Sequence, residues 1–171
     1  APISAWLGCT AFLASSVCGI LIGGLINKTK HTVISKWLGF LLIICYSLPT
    51  FEIAALAQYF LCVRLSLFPI ISSSAFPEMS YCSIVLMSVF PTVNIARLTA
   101  AQLNLEDTQD YVLAARLRKT SRVYIFFFYK LKNSIAPIMT LLGTTFASLV
   151  AGSFVIETMF SIPGLGRYFI T

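Results

Sequence analysis

The sequence predicts an all-α membrane protein, and three observations predict it. Of the 171 residues 58% are hydrophobic and only 11% charged, with a mean hydropathy of +0.88, outside the range of ordinary soluble domains. Several uninterrupted apolar stretches approach the roughly 20 residues that a helix needs to cross about 30 Å of hydrocarbon. The basic residues are confined to the connections between those stretches, and they fall unevenly on alternate connections.

Residues 5–26 carry no charge and form the first expected span. No basic stretch precedes this apolar run, and its lysines come after it, so it reads as a retained span and not a cleaved signal. Gly19 and Gly23 stand four residues apart within it, a spacing that allows a second helix to approach closely. A second span is expected at 37–63, interrupted by Pro49 and Glu52. An ionised carboxylate facing lipid costs several kcal/mol, so Glu52 is expected to face protein or water, with Asn94 as a candidate partner. The third span, 81–96, is short and contains Pro91, and the fourth, 134–156, is again uncharged. The chain starts without Met and stops soon after a Pro-Gly turn, as a part of a longer protein would.

Lys28, Lys30 and Lys36 occupy the first connection, and Arg97, Arg116, Arg118, Lys119, Arg122, Lys130 and Lys132 the third; Arg64 and Arg167 alone lie on the other side. By the positive-inside rule the first and third connections are cytoplasmic. The same placement explains the net charge of +6 without a nucleic-acid partner. The five cysteines, Cys9, Cys18, Cys45, Cys62 and Cys82, sit in or beside apolar runs without a CxxC spacing and read as small apolar filler.

The third connection, 97–133, is far longer than joining neighbouring helices requires. Glu106, Asp107 and Asp110 open its first helical stretch and Arg116, Arg118 and Lys119 close it, the charge order that a helix dipole favours. Ser121 is placed to cap a second helix in which Val123, Phe126 and Phe127 recur at helical spacing. The pattern predicts a helical hairpin. Composition leaves it open whether the hairpin rests on lipid headgroups or docks against another protein. Small Ala114 and Ala115 would admit a partner backbone, and Arg116 and Arg118 would offer forked donors.

Three strings bear a family resemblance. Ser47-Leu-Pro49-Thr-Phe51 resembles a Ser-x-Pro-x-Phe pattern; Ala96-Arg97-Leu98-Thr99, Asp110-Tyr111-Val112, Ala115-Arg116, Asn133 and Pro137 resemble an EAA loop in type and spacing; and Glu157-Thr-Met-Phe160-Ser-Ile-Pro163-Gly164-Leu-Gly166-Arg167 resembles a Glu-Thr-x-Phe-x-x-Pro-Gly-Leu-Gly segment. Together they are similar to the permeases of binding-protein-dependent transporters, in their dipeptide, oligopeptide and nickel branch. The resemblance implies the transmembrane domain of a type I ABC importer, with four to five membrane helices here and one further helix at either side in a complete member. It implies a coupling surface for an ATPase at Asp110, Tyr111, Ala114, Ala115, Arg116, Arg118 and Lys119. Pro49, Glu52, Glu157, Phe160, Pro163, Gly164 and Gly166 would line the translocation path or its gate around an external turn at 157–167. The implied partners are a second permease, two ABC ATPase subunits, an external substrate-binding protein and membrane lipid, in a bacterial cytoplasmic membrane. ATP and magnesium would belong to the ATPase subunits, and the chain carries no GxxxxGK[ST] string of its own.

Four positions depart from the family pattern: Lys119 stands where the loop turns on Gly, Ala100 where a basic residue follows Arg97, Tyr129 where a His precedes the Asn, and Glu52 where an aromatic residue is usual. They make a transport-deficient scaffold subunit the reading to weigh against an active permease, beside a permease for nickel or another small solute. An intramembrane enzyme would need a buried nucleophile or metal cluster, whereas the single histidine, His31, lies in a basic connection.

Overall fold

A computed structural model describes residues 2–30, 32–47, 52, 55, 56, 59–65 and 78–150. All regular structure among them is helical: α1 Pro2–Lys28, α2 Val33–Ser47, a π-helical turn at Tyr59–Arg64, α3 Glu78–Glu106, α4 Asp110–Leu117, and α5, which runs through Arg122–Val150 with a π segment at Ile125–Leu131. Three of these helices are long and apolar enough to cross a membrane, over Ala5–Lys28, Ser83–Glu106 and Arg122–Val150, and α2 is a shorter apolar helix. The expected second span therefore begins in α2; its continuation past Ser47, Pro49 included, lies largely outside the described residues.

Helix α1 packs inside out relative to a soluble helix. Leu7, Ala11, Ser15, Gly19, Gly23 and Asn27 form its buried line, while Leu13, Val17, Leu21 and Leu25 point outward. Lipid is as apolar as leucine, so burying large side chains gains little there, and small residues let backbones close on one another. A Cβ built on Gly19 would lie 2.7 Å from the Ile95 side chain, and one on Gly23 2.6 Å from Thr99. The glycine pair singled out in the sequence is thus the seam between α1 and α3. Gly8 does the same against α5, where a Cβ would collide with the Leu149 carbonyl oxygen. Some hydroxyls inside the bundle bond back to their own helices, Ser16 Oγ donating to the Phe12 carbonyl at 2.7 Å and Thr92 Oγ1 to that of Ser88 at 2.6 Å, which satisfies them where water is absent.

Helix α3 differs from the expected 81–96. It runs uninterrupted through Pro91 and continues to Glu106, so the first ten residues of the expected long connection extend a span. Arg97 does not end it. Its guanidinium lies 4.6 Å above the Tyr46 ring, a cation–π contact that lets a charged tip sit beside an otherwise apolar helix. The following residues, rich in Ala, Leu and Gln, are strong helix formers. Tyr46 also stacks on Phe90, with centroids 5.9 Å apart, and so fastens α2 to α3.

Candidate functional site

The connection between α3 and α5 is a compact hairpin. Helix α3 stops in a turn where Asp107, Thr108 and Gln109 donate backbone hydrogen bonds to the Leu103, Leu105 and Glu106 carbonyls, and α4 starts at Asp110, an acid placed at the positive end of the helix dipole. At the other end, Thr120 N–H donates to the Ala115 carbonyl at 3.2 Å and Lys119 N–H to that of Arg116 at 3.0 Å. This is a Schellman closure, whose pivot residue must be left-handed. The pivot is Lys119, at φ 57°, the one non-glycine residue with positive φ among those described. The turn that the family makes with Gly is made here with a lysine, at about 1 kcal/mol of backbone strain. Ser121 then caps α5, its Oγ accepting from Tyr124 N–H at 3.3 Å.

One face of α4 turns inward. Val112 and Ala115 are buried against Ile125, with Tyr129 packed beside them, and Tyr111 stacks on Tyr129 with centroids 6.2 Å apart. Ala115 is therefore an interior contact of the hairpin. Tyr129, in place of the family's His, serves as an aromatic wall. The outward face carries Asp110, Tyr111, Ala114, Arg118 and Lys119 together with Leu113 and Leu117, the latter 85% exposed. Reading the loop by charge and small size missed those leucines, whose apolar side chains dominate the tip.

Arg116 has a second role. Its guanidinium pairs with the carboxylate of Asp107, which is buried and also accepts from Lys30 Nζ at 2.8 Å, Lys130 Nζ at 3.0 Å and Asn27 Nδ2 at 3.0 Å. Asn27 bridges further, donating to Asn104 Oδ1 at 2.7 Å and accepting from Lys130 Nζ. A single carboxylate thus ties the ends of α1 and α3, the tip helix α4 and the π segment of α5 into one knot. Burial alone would raise the Asp107 carboxyl, but the hydrogen bonds from Lys30, Lys130 and Asn27 outweigh it and hold the group well below the usual carboxylate range. Lys130 is itself buried, and taking away one partner of such a pair costs roughly 3–5 kcal/mol. The sequence offered Asp107 and Lys130 only as the acidic start and basic end of helices; nothing local announced that they meet.

Of the expected path residues, Glu52 is helical and exposed, with no hydrogen bond to Asn94 among the described residues. Pro49, Glu157, Phe160, Pro163, Gly164 and Gly166 lie outside the described residues. Ala100 is buried and borders an apolar groove of about 350 Å³ formed with Ile26, Gly39, Leu42, Ile43, Arg97 and Ala101. A small residue here keeps the groove open where a basic side chain would fill it.

Spans seamed by small residues and joined through a charge-knotted helical hairpin are those of an integral membrane protein. Residues 16–171 match the family model of the binding-protein-dependent transport system inner membrane component, and the chain belongs to that family, whose fold is the type I ABC importer transmembrane domain. The dipeptide transport system permease protein DppB of Bacillus subtilis is 33% identical over 169 residues, covering 99% of this chain and 54% of that relative. Its namesake from Lactococcus lactis subsp. cremoris is also 33% identical, with 99% and 55% covered. The glutathione transport system permease protein GsiC of Salmonella paratyphi A is 27% identical over 162 residues, with 92% and 53% covered. The chain spans about half the length of these curated relatives.

Proposed function

We propose that this chain is the core of a permease subunit in an ATP-driven importer of short peptides, seated in a bacterial cytoplasmic membrane with the α4 hairpin on the inner side. The observation that carries the proposal is the outward face of α4, where Tyr111, Leu113 and Leu117 stand exposed among Asp110, Arg118 and Lys119. An apolar ridge with a charged rim suits a groove on a partner protein, and it sits at the tip of a hairpin whose other face is fixed to the spans. In this reading the chain itself hydrolyses nothing. A second permease completes the pathway, two ABC ATPase subunits bind ATP and magnesium and receive the α4 tips, and an external substrate-binding protein delivers the peptide. The peptide class rests on the names of the relatives.

The test is reconstitution of the whole transporter with its ATPase subunits and binding protein in proteoliposomes. ATP-dependent uptake of labelled di- and tripeptides is expected, together with loss of uptake and of ATPase co-purification in Leu117→Asp while the permease remains in the membrane. Uptake that persists in Leu117→Asp would remove α4 from the coupling surface, and uptake of nickel without peptide would replace the substrate class.

A further inference from the structure

Helix α4 has eight residues, too few to hold its own shape or position, and turns of a few residues flank it on both sides. Whatever pushes on it must be passed to the spans through side chains. Its buried apolar contacts, Val112 and Ala115 on Ile125 and Tyr129, reach α5. Among the described residues, the side-chain route from α4 to α1 is Arg116 to Asp107 and then to Lys30 and Asn27. The same carboxylate takes Lys130 from α5 and lies in the turn that ends α3. Apolar contacts slide under load, whereas converging hydrogen bonds fix both distance and direction. Buried as they are, Asp107 and Lys130 are little screened by salt.

We infer that Asp107, with Arg116, Lys130, Lys30 and Asn27, is a positioning knot that makes the α4 lever and the ends of α1, α3 and α5 move as one body, so that partner hydrolysis is converted into movement of the spans. The inference rests on the importer reading above and deepens it. It reassigns Arg116 from gripping the ATPase to holding the lever from behind. Asp107 touches neither substrate nor nucleotide; it acts through the helix that it places.

The experiment compares Asp107→Asn, Asp107→Glu and Arg116→Gln in the full transporter, reconstituted with its ATPase subunits and binding protein, with radiolabelled dialanine as the probe. Two quantities are read: ATP hydrolysed per dipeptide imported, and hydrogen exchange across residues 110–117 in the permease before the ATPase subunits are added. In Asp107→Asn and Arg116→Gln, exchange should rise and ATP spent per dipeptide should increase by about tenfold, the scale of a lost side-chain coupling, with the ATPase subunits still bound. Asp107→Glu, which keeps the charge, should restore the ratio to within about threefold of wild type. Arg116 is half-exposed, so its variant tests the knot even if Asp107→Asn does not assemble. The inference is overturned if hydrolysis and uptake fall in proportion, as for a purely structural residue, or if Arg116→Gln sheds the ATPase subunits with exchange in α4 unchanged. A wild-type transporter that imports no dipeptide sinks the importer reading instead, and unaltered exchange in Asp107→Asn would then sink the knot independently.

Discussion

Gly23 of α1 faces Thr99 of α3 with no room for a side chain between them: a Cβ on Gly23 would stand 2.6 Å from the Thr99 Cβ and 2.7 Å from the Ala96 carbonyl oxygen. Backbone cannot yield as a flexible side chain can. Gly23→Val should therefore lower the thermal midpoint of the detergent-solubilised permease, at a cost of about 1–3 kcal/mol or more. Gly143→Ala, where an added Cβ meets nothing within 4 Å, should leave it unchanged or raise it.

Lys119 holds a left-handed conformation that suits glycine. Lys119→Gly should relieve about 1 kcal/mol of strain, partly offset by the greater freedom of glycine in the unfolded chain, and Lys119→Val should cost more than the lysine does because β-branching worsens the clash. Urea titration of the permease in nanodiscs, followed by exchange of the hairpin amides, ranks the three variants; a ranking with valine highest would contradict the left-handed turn.

Ser121 satisfies one of the free N–H groups at the start of α5. Its contact is long at 3.3 Å, so Ser121→Ala should cost about 0.5–1 kcal/mol, the lower part of the capping range. Ser121→Asp should match or exceed wild type, since a carboxylate at a helix start also complements the dipole. The fraying of residues 122–124 in exchange measurements reports the difference.

The Asp107 carboxyl is held well below the usual carboxylate range by its hydrogen bonds from Lys30, Lys130 and Asn27. A group whose native pKa is depressed stabilises the fold above its unfolded value, and that stabilisation drains away as pH falls toward the native one. The gap in thermal midpoint between wild type and Asp107→Asn should thus be flat from neutral pH down to about 4 and shrink only below it. A gap that narrowed already between pH 7 and 5 would place the carboxyl elsewhere than in this knot.

Much of the architecture was written in local pattern. Apolar length points to α1 and to the part of α5 past Ser134, although α5 begins earlier, at Arg122; the glycine pair at 19 and 23 marks a real seam, and the acid-first, base-last order with Ser121 points to the hairpin and its cap. The end of α3 lies beyond the expected one because a charge does not by itself end a helix, and the Tyr46 ring, 51 residues away in sequence, explains how Arg97 sits within it. The outward and inward faces of α4 were not separable while the position of Ile125 and Tyr129 was unknown. The Asp107 knot was invisible for a stronger reason: its members come from four helical segments, and pairing between distant residues leaves no period in a single sequence.

The π segment at Ile125–Leu131 has a consequence of its own. A stretch closed by the wider ring holds one residue more than an α-helix would over the same rise, and each α-helical residue turns the helix by about 100°. Removing that surplus would turn one side of the helix relative to the other by about 100°, and Lys130 lies within the stretch. Helix α5 thus carries a surplus residue at the very point where its lysine meets Asp107.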